Sequence, residues 1–276
     1  MRRFKRLVDI LAALLREPCA SVIYLSSLPE SVRGLTVCRR WQSQHIVAPG
    51  LSGPSNQGAD NPLRSFFDGI GDGPGIWKWR HYLDIYHRHL SKFVGRNVEV
   101  VEVGVYSGGS LRMWRQYFGS GCRVSGVDIQ EACREYEDAS TTIYIGDQAD
   151  RVFWQHFREH VPVVDVLIDD GGHRPEEQMV TLEEMLPHLR PGGVYICEDI
   201  PGVGNRFASF AHSLAGNLNA SVNDPSRESL AAIPTLFQAA IGSVHVYPFA
   251  VVIEKTEHPV DTFEAPKRGT EWQPFL

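Results

Sequence analysis

The chain has 276 residues, enough for one large α/β domain with an extension or for two small domains. Its hydrophobic fraction of 43% is ordinary for a globular protein with a sizeable core, and its net charge of −6 argues against broad contact with a nucleic acid backbone. The five cysteines form no C-x-x-C pair, which argues against a zinc site or a disulfide framework. We therefore expect a reducing, cytoplasmic compartment.

The N-terminal stretch MRRFKRLVDILAALLREPCASVIYL joins a basic start to an apolar run, as a signal peptide does. Asp9, Arg16 and Glu17 interrupt this run, and no apolar stretch reaches the roughly 18 residues that span a bilayer. Leu7, Leu11 and similar residues recur at helical spacing. We therefore predict an amphipathic docking helix and no integral membrane span, with association to a membrane surface as the alternative.

Residues 46–75 are dense in Gly, Pro, Ser, Asn and Asp, which predicts a loop or linker. We place a boundary at its end, so that residues 1–75 form an N-terminal extension and residues 76–276 form the main domain. After the loop, Trp79, Tyr82 and Tyr86 recur at helical spacing, which predicts a helix over residues 76–95. We expect its aromatic stripe to belong to the core and its three histidines to be solvated or to lie on a helix face.

From Val98 onward, predicted strands and helices alternate with short connections. The predicted strands are VEVVEVGV, CRVSGVDI, TTIYIGD, VVDVLIDD, GGVYICEDI, SVHVYPF and AVVIEK. This alternation predicts an α/β fold with a doubly wound, mostly parallel sheet. The last two strands lie too close together for a crossover helix, so we expect them to form an antiparallel hairpin.

The turn after the first predicted strand, EVGVYSGGS, is rich in glycine. Glycines allow a tight turn and close approach of a ligand, but the spacing is not G-x-G-x-x-G, which argues against a dinucleotide. Asp128 ends the second strand and can accept hydrogen bonds from ribose hydroxyls, and Asp147 follows the third and can reach an adenine amine. These strand ends together indicate S-adenosylmethionine, although both aspartates could instead cap the following helices.

Four carboxylates follow the next two predicted strands. Asp169 and Asp170 end the fourth strand, and Glu198 and Asp199 end the fifth. Because the carboxyl ends of neighbouring parallel strands meet at one sheet edge, we expect these side chains to converge. Unpaired carboxylates repel one another, and a Mg²⁺ ion with oxygen ligands would relieve the repulsion. The alternative is that one or two of them cap helices or pair with nearby arginines.

The motif LIDDGGH also places His173 three residues after Asp170. A neutral imidazole can remove a hydroxyl proton near neutral pH, and a divalent cation beside that hydroxyl makes the proton easier to remove. The pattern therefore predicts base-assisted attack of an alcohol on a sulfonium methyl group. The alternative is a helix-capping loop with a surface histidine.

The sequence elements VEVGVYSGGSLRMWRQYF, SGVDI, LIDDGGH, GGVYICEDI and VHVYPFAVVIEK together resemble the metal-dependent sugar O-methyltransferases of macrolide biosynthesis, of the mycinamicin and macrocin type. The resemblance runs from residue 76 to residue 255. It implies a class I methyltransferase fold with a seven-stranded, Rossmann-like sheet. It also implies a homo-oligomeric enzyme that uses S-adenosylmethionine and Mg²⁺ to methylate a sugar hydroxyl of a glycosylated natural product or glycan.

The resemblance further implies a role for each matching residue. His173 would be the general base, and Asp170, Glu198 and Asp199 would be the metal ligands. The cofactor contacts would come from Glu102, Gly104, Tyr106, Ser110, Asp128, Asp147 and Asp169.

The chain departs from the family pattern at two places. Gly172 stands where the family usually has serine, and IPGVGNRFASF replaces an aromatic-containing segment that helps to shape the acceptor pocket. The acceptor therefore stays open, and a catechol or phenol O-methyltransferase with Phe207 and Phe210, or Phe66, lining a flat pocket is the alternative enzyme. A non-catalytic cofactor-binding protein is disfavoured because the base and all four carboxylates are present.

Overall fold

The computed structural model describes residues 2–44, 61–220, 231–266 and 268–270. The chain divides into two compact units, residues 1–58 and 59–276. The first unit contains three consecutive helices: α1 Arg2–Arg16, α2 Pro18–Ser26 and α3 Leu28–Gln44. A helix is thus present where the N-terminal pattern predicts one, and no helix in the described ranges is both long and apolar enough to cross a membrane.

The second unit is built on a seven-stranded sheet. Its strands are β1 Val98–Val103, β2 Cys122–Asp128, β3 Thr141–Ile145, β4 Val164–Asp169, β5 Leu189–Cys197, β7 Ile241–Tyr247 and β8 Ala250–Lys255. Its helices are α4 Pro62–Gly69, α5 Tyr82–Leu90, α6 Gly109–Phe118, α7 Arg151–His160, α8 Pro175–Met185, α9 Arg206–Asn217 and α10 Leu236–Ala240. Two 3₁₀ helices span Ser91–Phe93 and Glu131–Tyr136, and β6 Ala231–Ala232 pairs with β9 Phe263–Glu264 in a small antiparallel sheet.

The strand order in the large sheet is β3-β2-β1-β4-β5-β8-β7. The strands from β3 to β5 pair in parallel, whereas β8 is antiparallel to both of its neighbours. This order confirms the predicted doubly wound, mostly parallel sheet with a terminal hairpin. All six residues of β4 are buried, because apolar clusters cover both faces of the sheet, which explains why its sequence VDVLID is mostly apolar. The charged residue within the strand, Asp165, is paired with Arg190.

Part of the loop predicted over residues 46–75 is a helix in the structure. The Asn61 side chain accepts a hydrogen bond from the backbone N–H of Leu63, and Pro62 occupies the first turn, so α4 begins with a favourable cap. Leu63 is fully buried in the core of the second unit. The compact unit therefore begins before the predicted boundary at residue 76, and residues 46–60 of the predicted loop lie outside the described residues.

The helix predicted from residue 76 begins only at Tyr82. Residues 76–81 instead run irregularly along the carboxyl edge of the sheet, because Lys78 and Trp79 are drawn to carboxylates at the strand ends. Tyr82 and Tyr86 are buried, as the helical spacing predicts. Of the three histidines predicted to be solvated or to lie on a helix face, His89 lies in α5 but is buried, beside Glu254.

Candidate active site

A cavity of about 1020 Å³ lies at the carboxyl edge of the sheet. Its walls come from residues 75–82, from the glycine turn after β1, and from the ends of β2, β3, β4 and β5. The alternation of strands and helices positions these walls, since parallel strands present all their carboxyl ends on one edge. The volume is that of a site for a cofactor-sized ligand.

Gly104 brings the ends of β1 and β4 together. Its φ is +91°, and a Cβ atom there would lie 2.1 Å from the backbone oxygen of Asp170. The N–H of Gly104 donates to Val127 at 2.8 Å, and the N–H of Asp170 donates to Val103 at 3.0 Å. Only glycine combines this φ with this close approach, so the turn needs glycine whether or not a ligand is bound.

Asp128 shapes the glycine turn from the end of β2. Its Oδ2 accepts hydrogen bonds from the N–H groups of Val105 and Tyr106 at 2.9 and 3.1 Å, and its Oδ1 accepts one from Gln130 at 2.8 Å. Both Asp128 and Tyr106 border the cavity, and Tyr106 is 75% exposed with a left-handed φ of +49°. Asp128 therefore holds the turn open at the place where the sequence predicts ribose recognition.

Asp147 also borders the cavity, and its side chain is exposed. Its Oδ1 accepts a hydrogen bond from Ala149 in a local turn, whereas the cap of α7 is Asp150, which accepts from Val152. Capping of the following helix therefore belongs to another aspartate, which leaves Asp147 available to a ligand.

Asp169 is not among the residues that border the cavity, and its predicted contact with the cofactor stays a prediction. It is fully buried, and its two oxygens accept hydrogen bonds from Gln148 Nε2 at 3.0 Å and Tyr195 OH at 3.1 Å. Burial raises the pKa of Asp169 to about 6, against the lowering effect of these hydrogen bonds. Asp170, the residue after the end of β4, does border the cavity.

Glu102 and Ser110 form a buried pair at the start of α6. Ser110 Oγ donates to Glu102 Oε2 at 2.7 Å, and Glu102 Oε1 lies 3.5 Å from Lys78 Nζ. Burial raises the pKa of Glu102, while Lys78 and Ser110 lower it. Ser110 borders the cavity but Glu102 does not, so Glu102 acts on the site through its two partners.

Lys78 lies among buried or partly buried carboxylates, those of Glu102, Asp170 and Glu198, which we call the acidic cluster. Its side chain is 3% exposed, and its Nζ lies 2.5 Å from Asp170 Oδ2 and 3.1 Å from Glu198 Oε2. Burial by itself would lower the pKa of Lys78, but the surrounding carboxylates, Asp170 first and then Glu198 and Glu102, raise it well above its ordinary value. The lysine is therefore held as a buried ammonium ion.

Aromatic hydroxyl and indole groups hold the end of β5. Tyr86 OH donates to Glu198 Oε1 at 2.5 Å, while Tyr82 OH and Trp79 Nε1 donate to Asp199 Oδ1 at 2.9 and 3.0 Å. Each of these donors comes from the segment that the sequence assigned to a core-facing helix. These hydrogen bonds from residues 79–86 fix the orientation of the two carboxylates that follow β5.

The side chains of His173 and Asp199 lie next to each other at the border of the cavity. His173 Nε2 lies 3.6 Å from Asp199 Oδ2 and 3.9 Å from Asp170 Oδ1. His173 and Asp199 both have left-handed backbone conformations, with φ of +56° and +52°. Such conformations are costly outside glycine and concentrate at functional sites.

The donor set suits a divalent cation. Asp170, His173 and Asp199 each offer a ligand atom, and these atoms all lie within 4.8 Å of one another. Glu198, the other predicted ligand, belongs to the same cluster but is almost fully buried, and its two oxygens contact Tyr86 and Lys78. The carboxylates of Asp170, Glu198 and Glu102 outnumber the one ammonium ion among them, and a cation on the cavity side would offset part of that excess.

The arginines that offered an alternative pairing are engaged elsewhere. Arg174 lies 3.2 Å from Glu177, and Arg206 pairs with Glu176. A Cβ atom at Gly172 would lie 2.1 Å from the Glu177 carboxylate, so the glycine found in place of the family's serine leaves room for that side chain.

Sequence reasoning did not identify Lys78 or Gln148 as parts of the site. It also did not identify the hydrogen bonds that Trp79, Tyr82 and Tyr86 donate to the end of β5. Gln148 Nε2 donates to Asp169, and its Oε1 accepts the N–H of Gly172 at 2.7 Å. Gln148, which follows β3, therefore links the end of β4 to residues 171–174, which we call the histidine loop. Lys78 carried one signal, as a charged residue between two tryptophans in the stretch IWKW. That pattern shows neither the depth of its burial nor its partners.

Comparison with known proteins agrees with this fold. Residues 101–200 match the family model of a methyltransferase domain. The chain is 32% identical over 201 residues to the 8-demethyl-8-alpha-L-rhamnosyl tetracenomycin-C 2'-O-methyltransferase of Streptomyces olivaceus, covering 66% of this chain and 52% of the relative. It is 35% identical over 133 residues to the mycinamicin VI 2''-O-methyltransferase of Micromonospora griseorubida, covering 44% and 33%.

A solved structure of the MycE methyltransferase from the mycinamycin pathway, in complex with Mg, SAH and mycinamycin VI, superposes with a TM-score of 0.57 at 26% identity. The match covers 71% of this chain and 53% of that one. The chain spans about half the length of the tetracenomycin sugar methyltransferases that it matches. The resemblance read from the motifs is thereby confirmed: the chain carries a class I methyltransferase domain related to the sugar O-methyltransferases of macrolide and tetracenomycin biosynthesis.

Proposed function

We propose that this protein transfers a methyl group from S-adenosylmethionine to a sugar hydroxyl of a glycosylated small molecule, with Mg²⁺ as a cofactor and His173 as the general base. One observation carries the proposal: His173 Nε2 lies within 4 Å of both Asp170 and Asp199 at the edge of a cofactor-sized cavity. The similarity to a rhamnosyl tetracenomycin-C 2'-O-methyltransferase and to a mycinamicin VI 2''-O-methyltransferase supports the same class of acceptor.

The two halves of the cavity suit the two parts of the reaction. The glycine turn, Asp128 and Asp147 would hold the cofactor, and Asp170 and Asp199 would hold the metal ion. When bound, S-adenosylmethionine supplies an electrophilic methyl group, and Mg²⁺ makes a neighbouring hydroxyl more acidic. Glu198 stays a predicted ligand, since ligation would require it to exchange its contact with Lys78 or Tyr86.

The imidazole of His173 is placed to take the acceptor's proton. Its side chain is 40% exposed, so an acceptor can reach it from the cavity. Its Nε2 lies beside the carboxylates of Asp170 and Asp199, which would hold the metal ion, so the base and the metal site would adjoin the same part of the cavity. The rigid strand ends beneath these residues align the reacting atoms, which supplies much of the remaining rate enhancement.

Two tryptophans offer surfaces on which a sugar acceptor could pack, and the aromatic side chains invoked for a phenol pocket are not at the cavity. Trp77 and Trp79 border the cavity and are 88% and 53% exposed, and indole faces suit the apolar C–H faces of a deoxysugar. The side chains invoked for a catechol pocket lie elsewhere: Phe207 is fully buried in the core, with Phe210 packed against it, and Phe66 packs against the other core cluster.

The proposal is tested by transfer of labelled methyl groups to a panel that contains a rhamnosyl polyketide and a catechol. We expect methylation of the glycoside, loss of activity in EDTA and recovery on addition of Mg²⁺. His173→Gln should reduce turnover by about 10²-fold or more and leave the affinity for S-adenosylmethionine unchanged. The matched control, His212→Gln on the exposed face of α9, should behave as the wild type.

Full activity after complete metal removal would refute the metal role. Undiminished turnover in His173→Gln would assign the base to another group. Preferential methylation of the catechol would favour the alternative enzyme class. Homo-oligomeric assembly and a cytoplasmic location stay predictions.

A further inference from the structure

We infer that the ammonium group of Lys78 competes with the metal ion for the carboxylates of the acidic cluster. By occupying the inner oxygens of Asp170 and Glu198, it restricts the metal ion to the side of the cluster that borders the cavity. The inference rests on the proposed function, because it concerns the same cluster. It assigns to Lys78 a positioning role in which it controls how tightly, and on which carboxylate oxygens, a divalent cation binds.

The contacts of Lys78 match the geometry of an ammonium group. Its Nζ lies among carboxylates from three strand ends: it donates to Asp170 after β4 at 2.5 Å and to Glu198 after β5 at 3.1 Å, and it lies within ion-pair distance, 3.5 Å, of Glu102 in β1. The side chain is 3% exposed, so water does not screen these contacts. A lysine with only a solubilising role would not be enclosed in this way.

These contacts divide the carboxylate oxygens into two sets. Asp170 Oδ2 and Glu198 Oε2 point inward to Lys78, and Glu198 Oε1 is taken by Tyr86. Asp170 Oδ1 and Asp199 Oδ2 lie on the other side, nearest to His173 Nε2. Among the described side chains of this cluster, the carboxylate oxygens left for a cation are therefore those next to the histidine.

Removal of the ammonium should change metal binding in a specific direction. Without Lys78, the inner oxygens of Asp170 and Glu198 become available to a divalent cation, and a repulsive positive charge a few ångströms from it disappears. The affinity for the ion should therefore rise. Methyl transfer should become slower, because the inner oxygens would draw the ion away from Asp199 and His173.

The test compares the wild type with Lys78→Met and Lys78→Gln. Calorimetric titration with Mn²⁺ should give a Kd about tenfold lower, or lower still, in both variants. The rise in melting temperature on addition of Mg²⁺ should also be larger than in the wild type, which gives a readout even if one variant is poorly stable without metal. Lys92→Met, outside the cavity lining, is the matched control and should leave both values unchanged.

An unchanged or higher Kd for Mn²⁺ in both Lys78 variants, with normal binding to the wild type, would overturn this inference and leave the proposed function intact. Absence of Mn²⁺ binding from the wild type and from both variants would overturn the metal dependence in the proposed function, and the role of Lys78 with it.

Discussion

Gly104→Ala offers a direct test of how the fold builds the cavity. The new methyl group would meet the backbone oxygen of Asp170 at 2.1 Å, at a residue whose φ is +91°. The left-handed conformation should cost about 1–2 kcal/mol, and overpacking against backbone that cannot rotate away should add about 1–3 kcal/mol. We therefore expect the free energy of unfolding to fall by about 2–5 kcal/mol.

Gly95→Ala separates the two contributions. Gly95 also has a positive φ, +76°, but nothing lies within 4 Å of a Cβ atom placed there. Urea denaturation followed by circular dichroism should show a loss of about 1–2 kcal/mol for Gly95→Ala, and a clearly larger one for Gly104→Ala. Gly104→Ala should also weaken binding of S-adenosylmethionine, because the ends of β1 and β4 must move apart. Equal losses of stability in the two variants would refute the close approach as the reason for glycine.

Three further predictions follow from buried contacts. Tyr86→Phe removes the hydroxyl donor to Glu198 and should lower the free energy of unfolding by about 1–3 kcal/mol; an unchanged melting temperature would contradict this. Gln148→Leu removes the amide that links two strand ends to the histidine loop, so hydrogen exchange in that loop should accelerate, and unchanged exchange would argue against the link. Burial, and then the neighbouring His89, lower the pKa of His245, so the unfolded chain binds its proton at a higher pH than the folded chain. Stability should therefore fall as pH drops below about 6.5, less so in His245→Gln, and an identical pH dependence would show that His245 is not the cause.

The architecture could be predicted because its signals are local. Alternating apolar strands and helices, with one short connection before β8, fix a doubly wound sheet with a terminal hairpin. Asp128, Asp170 and Asp199 could be placed at the cavity for the same reason, since a parallel sheet brings its strand ends to one edge.

The errors arose where long-range contacts override local patterns. The helical spacing of Trp79 and Tyr82 continues through residues 76–81, but ion pairing and hydrogen bonding to the strand ends keep that segment irregular. Asp169 and Asp170 are adjacent in sequence, but Asp169 is buried with Gln148 and Tyr195 whereas Asp170 borders the cavity, and partners so distant in sequence cannot be read from the motif. Lys78 pairs with residues that lie 24 to 120 positions away, so no sequence window contains both the lysine and its partners.

The central claim is that Asp170 and Asp199 hold a cation within reach of His173. A crystal structure with Mn²⁺ and S-adenosylhomocysteine, with anomalous data that locate the metal, tests this claim most directly. We predict a peak about 2.1 Å from Asp170 Oδ1 and Asp199 Oδ2, with the His173 imidazole facing the cofactor sulfur and the Lys78 contacts retained. A metal bound elsewhere, or an imidazole turned away from the sulfur, would contradict the account.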